Sequence, residues 1–256
     1  MNVVLMQASL EWEDVNSNIN FFINQLEDVA DNVDLVVLPE MFSSGFTMHP
    51  ERVALQMNDK NINKLVELAR SKSFAIIGSL VVQENGNFYN RLLFIDDLGN
   101  IQSYDKRHLF SLAGEEKVYS AGKDRLIVNY KGWRICPLVC YDLRFPVYAR
   151  NNKDEYDLLI YVASWPDQRI YAWDSLLKAR AIENMCYTIG VNRSGVDENN
   201  NIYSGHSQVL DCFGKYMIEP QEGEQNIAVT LNLEELNKAK SKFKFLKDAD
   251  DFHLNL

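Results

Sequence analysis

Three chemically capable side chains stand at or just past the carboxyl ends of expected strands. Glu40 follows Leu35-Val36-Val37-Leu38-Pro39, Lys106 follows Ile101 to Asp105, and Cys140 follows Ile135 to Val139. Each alone has a plain structural reading: a solvated acid, a surface charge beside Arg107, a core thiol. Together they are the parts of an acyl-transfer site. A thiol has an ordinary pKa near ~8.5, and a neighbouring cation lowers it. A carboxylate within hydrogen-bond reach can take the thiol proton and return it to a leaving amine. A lysine ammonium can face the carbonyl oxygen as it becomes an oxyanion, and losing one such donor slows a reaction by ~10²–10³. The backbone N–H of Tyr141 would be a second donor if the chain turns into a helix there. Asp142 and Pro146 suit that turn as cap and early-helix residues.

These groups meet only if the elements beneath them place their ends together. Val3 to Met6 reads as a strand, Asn16 to Ala30 as a helix with Ile19, Phe22, Ile23, Leu26 and Val29 on one face, and Leu35 to Leu38 as a buried strand. A second helix is expected from Asp59 to Ser71. Strands follow at Phe74 to Val82, Leu92 to Ile95 and Ile101 to Tyr104, punctuated by Asn85-Gly86-Asn87 and Leu98-Gly99-Asn100. Leu126 to Tyr130 and Trp133 to Val139 form a hairpin about Lys131-Gly132. Leu158 to Val162, a helix from Ser175 to Asn184, and strands at Met185 to Val191, Gly205 to Leu210 and Ile227 to Leu231 complete the chain. Hairpins mixed with αβ units predict an α/β protein whose two mixed sheets stack as a four-layer α-β-β-α sandwich. In open α/β sheets ligands bind at the carboxyl ends of the strands, which is where all three groups fall.

The 256 residues carry 26 Lys+Arg against 36 Asp+Glu, a net charge of −10. That balance argues against nucleic acid and anionic lipid as partners, because both need a basic footprint. No apolar run approaches a membrane span, and the N-terminus has no basic region before an apolar one. Cys136, Cys140, Cys186 and Cys212 are too sparse for a disulfide scaffold, which suggests free thiols in a reducing cytoplasm. Zinc is disfavoured: Cys136 and Cys140 have no second pair, and His49, His108, His206 and His253 are scattered. No metal or cofactor is expected. With no linker or repeat, one domain is expected over 1–233, with 234–256 as a C-terminal helix and tail that joins it or forms an oligomer contact.

Leu38-Pro39-Glu40-Met41-Phe42, Tyr104 to Phe110 (YDKRHLF) and Leu138 to Pro146 (LVCYDLRFP) resemble, in order, the three signature segments of the nitrilase superfamily of carbon–nitrogen hydrolases. The resemblance runs from the first strand to about Leu233. It implies the four-layer sandwich, with Glu40 as general base, Lys106 as oxyanion stabiliser and Cys140 as nucleophile. It also implies a second glutamate between the Lys and Cys segments; spacing to Gly122 favours Glu115, with Glu116 as the alternative. A homodimer or higher homo-oligomer, joined through helices next to the nucleophile, is implied as well. Val162 to Pro166 (VASWP), Ala179 to Asn184 (ARAIEN), Ser204 to Gln208 (SGHSQ) and the tail from Phe243 to Phe252 are similar to the omega-amidase branch. That branch hydrolyses the terminal amide of 2-oxoglutaramate and 2-oxosuccinamate. Other readings are another small amide or carbamoyl compound, deaminated glutathione included, or a non-catalytic metabolite-binding protein.

Such a substrate carries a carboxylate and a keto group remote from its amide, so an acidic chain needs a local cation to hold it. Arg144, four residues past the nucleophile, is the candidate, since a guanidinium binds a carboxylate bidentately. The alternative for Arg144 is an ion pair with Asp142 or another acid. Phe42, Tyr141 and Trp165 are candidate walls for a short flat substrate, with core packing as the other reading of Phe42. His206 is disfavoured as the base, because Glu40 supplies that function; Cys136, Cys186 and Cys212 are read as buried bystanders.

Overall fold

The chain opens with β1 (Asn2–Gln7), α1 (Val15–Glu27) and β2 (Leu35–Val37), and a computed structural model describes residues 1–252 and 254. There follow α2 (Pro50–Val53), α3 (Lys60–Lys72), the hairpin β3 (Ala75–Glu84) and β4 (Asn87–Ile95), and β5 (Ile101–Asp105). A second run holds β6 (Val128–Tyr130), β7 (Trp133–Val139), α4 (Pro146–Ala149), β8 (Leu158–Ala163), α5 (Ile170–Asn184) and β9 (Tyr187–Asn192). The chain then adds β10 (Ser194–Val196), β11 (Ile202–Leu210), β12 (Tyr216–Glu222), β13 (Gln225–Thr230) and α6 (Leu233–Phe243).

One sheet has the order β13-β1-β2-β3-β4-β5, and the other β10-β11-β9-β8-β7-β6 with β12 on β11. Both are mixed: β1, β2 and β3 run parallel, as do β7, β8 and β9, and antiparallel strands flank each trio. Alternation along the strands builds the layers. In β1 and β2, Val3, Leu5, Leu35 and Val37 join the core shared with β7 and β8, while Val4, Met6 and Val36 face α1 and α3 through Ile19, Phe22, Leu26, Ile62 and Leu65. On the far side α5 lays Trp173, Leu177 and Ala181 into the first core. The order α1/α3, sheet, sheet, α5 is the four-layer sandwich expected from the pattern. Asp14 and Asp59 start α1 and α3 by accepting N–H groups of their first turns, from Ser17 at 3.0 Å and Asn61 at 2.8 Å.

Because β5 is antiparallel to β4, and β4 to β3, β5 runs in the same sense as β2 and ends at the same edge. Several details differ from expectation. β4 begins at Asn87 rather than Leu92, and α5 begins at Ile170 rather than Ser175. Met185 closes α5 in a left-handed conformation (φ 48°) instead of opening a strand, so β9 starts at Tyr187. β10, β12 and α2 were not legible, whereas Pro146 opens α4 as an early-helix residue; β12 pairs with β11 and carries Pro220, which an edge strand tolerates. α6 packs on the main core through Leu236, and its Lys240 Nζ donates to Asp154 at 2.6 Å and Asp157 at 2.9 Å. Positions 253, 255 and 256 of the expected tail lie outside the described residues. Among the described residues no helix is long and apolar enough to cross a membrane.

Candidate active site

Past β2 the chain stays beside β3. Leu38 N–H bonds Ile77 O at 2.7 Å, Met41 N–H bonds Ser79 Oγ at 2.9 Å, and Phe42 N–H bonds Ser79 O at 3.0 Å. Met41 turns left-handed (φ 45°), and Glu40 lies fully buried between the sheets. Its Oε2 accepts the N–H of Ser164, just past β8, at 2.8 Å, so one carboxylate ties the two sheets together. Asn192 at the end of β9 fixes that loop, its amide accepting Trp165 N–H at 2.7 Å and donating to Trp165 O at 2.9 Å.

Lys106 extends β5 by one residue, its N–H on Asn90 O at 2.9 Å and its carbonyl accepting Gly122 N–H at 3.0 Å. Its ammonium is fully buried, 2.9 Å from Glu40 Oε1 and 2.9 Å from Glu115 Oε2. Glu115 is fully buried and Glu116 exposed, so Glu115 is the second glutamate in this cluster. Asn90, invisible at the sequence level, donates from Nδ2 to Glu40 Oε1 at 2.8 Å and Glu115 Oε1 at 3.3 Å. Phe110 N–H adds a 2.6 Å bond to Glu115 Oε2. Burial alone would lower the Lys106 pKa, but Glu115 and Glu40 outweigh it and hold the ammonium above the usual lysine range. Burial pushes the Glu115 carboxyl up, and Glu40 adds to the rise against the pull of Lys106. The ammonium donates to Glu40 Oε1 at 2.9 Å and to both Glu115 oxygens, Oε2 at 2.9 Å and Oε1 at 3.1 Å, the last being the longest of the three.

Cys140 leaves β7 in the left-handed region (φ 45°), an uncommon state for a residue with a side chain, and opens a tight 3-10 turn over Cys140–Arg144. As a first-turn residue, Tyr141 has an N–H without an acceptor inside that turn. Asp142 anchors it: its carboxylate accepts Val139 N–H at 3.0 Å, Tyr104 O–H at 2.8 Å and His108 N–H at 3.0 Å, with His108 Nδ1 at 2.7 Å. Tyr104 and His108 flank Lys106, so Asp142 clamps the nucleophile turn to the lysine segment. The expectation of a cation-lowered thiol is reversed. Burial pushes the Cys140 thiol well above its usual range, and the charge of the Glu40 carboxylate raises it further against Lys106 and Ser164 N–H. The thiol proton stays on sulfur beside a carboxylate placed to take it.

Cys140 and Lys106 open into a cavity of about 620 Å³, and Tyr141, Arg144, Trp165, Phe46, Phe110 and Arg169 also line it. Tyr141, Arg144 and Trp165 thus stand where the sequence reading put them. Phe42 does not. It is buried edge-on against Phe22 at 5.4 Å, over Gly78, where a Cβ would meet its Cδ1 at 2.9 Å. The left-handed Met41 points Phe42 into the core behind β3, and Phe46 takes its place, with Lys106 Nζ 5.2 Å from its ring. The Arg144–Asp142 pair is absent: the Asp142 oxygens are taken up as above, and Arg144 lies 4.9 Å over the Trp165 ring. His206 pairs with Asp174 at 3.0 Å, away from the cavity lining. Among the described residues no three metal-capable side chains gather.

A two-sheet α/β sandwich that gathers a buried Glu–Lys–Glu cluster and a protonated thiol at one strand edge has the parts of a cysteine acyl-transfer hydrolase. Residues 3–241 match the carbon–nitrogen hydrolase family, and the chain belongs to it. It is 42% identical to omega-amidase YafV of Escherichia coli (strain K12), over 99% of this chain and 98% of that one. It is 29% identical to the 2-oxoglutaramate amidase of Bacillus subtilis (strain 168), over 95% of each. Among solved structures, XC1258 from Xanthomonas campestris, a CN-hydrolase superfamily protein with an arsenic adduct in its active site, superposes with a TM-score of 0.97 at 41% identity. The match covers 100% of this chain and 99% of that one.

Proposed function

We propose that the protein is an omega-amidase that releases ammonia from 2-oxoglutaramate or 2-oxosuccinamate through a thioester on Cys140. The observation that carries the chemistry is the buried placement of Glu40, bonded to the Lys106 ammonium at 2.9 Å and to Ser164 N–H at 2.8 Å, at the cavity that Lys106 and Cys140 line. The full-length likeness to two amidases, one of them named for 2-oxoglutaramate, supports the substrate.

Glu40 takes the thiol proton as sulfur attacks the amide carbon, so no thiolate has to exist beforehand. The developing oxyanion meets the Lys106 ammonium, whose longest bond, to Glu115 Oε1 at 3.1 Å, gives way to it, and the Tyr141 N–H. Both are fixed before the reaction, by the two glutamates and by the turn that Asp142 anchors. The C–N bond breaks as Glu40 returns its proton to nitrogen, and ammonia leaves. Water then gives a proton to Glu40 and attacks the thioester carbon; the C–S bond breaks and sulfur recovers the proton. Glu115 holds Lys106 in place and balances part of its charge. Arg144, on the Trp165 face, takes the substrate carboxylate. Tyr141, Trp165 and Phe46 wall the acyl chain.

Purified protein should release ammonia from 2-oxoglutaramate well ahead of simple amides and carbamoyl compounds, and the C140A variant should release none. Ammonia release by the alanine variant at the wild-type rate sinks the mechanism. Preference for a carbamoyl compound by kcat/KM sinks the substrate. We also propose a homo-oligomer, supported by exposed Val147, Tyr171 and Ile182 on α4 and α5 beside the nucleophile turn. Light scattering on the purified chain tests it. Four free thiols suit a reducing cytoplasm.

A further inference from the structure

Besides Arg144, a second guanidinium reaches the same cavity. Arg169 closes the short turn Asp167–Arg169 between Trp165 and α5, and lies 5.2 Å over the Phe110 ring. The other cations of the lining are occupied. Lys106 is held by two glutamates, Arg52 pairs with Glu13 at 3.0 Å, and His49 lies 3.4 Å from Glu51. Among the described residues neither Arg144 nor Arg169 has a carboxylate within 4.0 Å. Each rests on an aromatic face, which orients a guanidinium without using its N–H fork. One indole couples them: Trp165 carries Arg144 on its face, and its Nε1–H donates to Arg169 O at 2.8 Å.

From this arrangement we infer that Arg169 is a specificity-determining residue, completing with Arg144 a two-arginine clamp for a 2-oxo carboxylate. The inference rests on the omega-amidase reading and goes past it. A single carboxylate needs one guanidinium. Two guanidinium groups lining one cavity fit a group with three acceptors and no donor, a carboxylate beside a keto oxygen. The same pair is hostile to a 2-amino acid, whose α-ammonium would stand in the keto position against two cations. Arg169 therefore lets the site accept 2-oxoglutaramate and reject glutamine, although both end in the same amide. Of the acids in the lining, Asp197 is taken up by Asn199, Asn201 and the Tyr203 hydroxyl, and Glu198 is exposed, so its charge is solvated.

The test compares kcat/KM for 2-oxoglutaramate, glutamine and pentanamide, an uncharged amide of the same length, in the wild type, R169Q and R169K. In R169Q the ratio of 2-oxoglutaramate to pentanamide should fall about 10- to 100-fold, the worth of one hydrogen bond to a charged group. The loss should appear mainly in KM, because the clamp is remote from the scissile bond. R169K, which keeps the charge without the fork, should lose less. The preference for 2-oxoglutaramate over glutamine should narrow in R169Q. Both ratios within threefold of wild type in R169Q overturn the inference while leaving the omega-amidase reading intact. Failure of the wild type to favour 2-oxoglutaramate over pentanamide overturns both.

Discussion

Replacing Lys106 with methionine keeps most of the side chain's volume and removes the one positive charge from a cluster that otherwise holds two buried carboxylates. In the native protein the ammonium sits 2.9 Å from a carboxylate oxygen of each glutamate, and all three side chains are fully buried. Without it, the two carboxylates keep only neutral donors: Asn90 Nδ2 between them, Ser164 N–H on Glu40 and Phe110 N–H on Glu115. Breaking a buried ion pair by deleting one partner costs ~3–5 kcal/mol. At this chain length that is a fall of about 6–20 °C in the unfolding midpoint. The cost must depend on pH, and its sign is set. Glu115 already has its carboxyl pushed above the ordinary value, first by burial and then by Glu40, and losing Lys106 pushes it further. A carboxyl raised in the folded state binds more protons folded than unfolded, so stability recovers as pH falls below the raised pKa. Each unit of pKa rise is worth about 1.4 kcal/mol. Urea unfolding of K106M, followed by tryptophan fluorescence at pH 8 and pH 5.5 with wild type alongside, should show the full deficit at pH 8. At pH 5.5 the deficit should be smaller by at least ~1 kcal/mol. A deficit below ~1 kcal/mol at pH 8, or one equal at both pH values, refutes the argument that the cluster is a net-negative ion triad.

Three further outcomes follow. Iodoacetamide should modify Cys140 ahead of the other thiols, slowly at neutral pH and faster up to pH 9 with no plateau, because the thiol is pushed well above its usual range. A plateau below pH 7 would mean a preformed thiolate. Cys136 and Cys186, pushed up to about 12 by burial, should react only on unfolding. F42A should lose ~3–5 kcal/mol of stability as a core deletion. F46A, on the cavity wall, should chiefly lower kcat/KM; loss of kcat/KM without loss of stability in F42A would put Phe42 back in the pocket. In D142N an amide nitrogen replaces one oxygen among four donors, so one donor goes unpaired at ~1–3 kcal/mol or more. Because the clamp then loosens, kcat should fall more than KM changes, and wild-type kcat in D142N contradicts the clamp.

Glu40, Lys106 and Cys140 were legible because each falls at the carboxyl end of an expected strand within a family-like segment, and the sandwich was legible because strand and helix periodicities alternate along the chain. Other parts depend on contacts between distant segments. Asn90 reads as an ordinary polar residue inside a strand, and only the sheet order places its amide over Glu40 and Glu115. Ser164 acts through its backbone N–H, which no side-chain type announces. Phe42 and Phe46 are both aromatic and four residues apart; the left-handed turn at Met41 decides which faces the cavity. Arg169 falls four residues after Trp165, and that spacing was its one available signal; its role depends on Phe110 and on a carbonyl contact to the indole. The thiol's pKa was read in the wrong direction because the lysine was counted, while the larger influences, burial and Glu40, belong to the folded state.

The central claim is that sulfur of Cys140 carries the acyl group. Wild-type protein mixed with 2-oxoglutaramate, quenched in acid within the first turnovers and analysed by peptide mass spectrometry, tests it directly. The account predicts a 2-oxoglutaryl thioester on the peptide containing Cys140 and on no other cysteine, formed with the first equivalent of ammonia and lost as turnover ends. Ammonia release at the full rate with Cys140 unmodified throughout would contradict it.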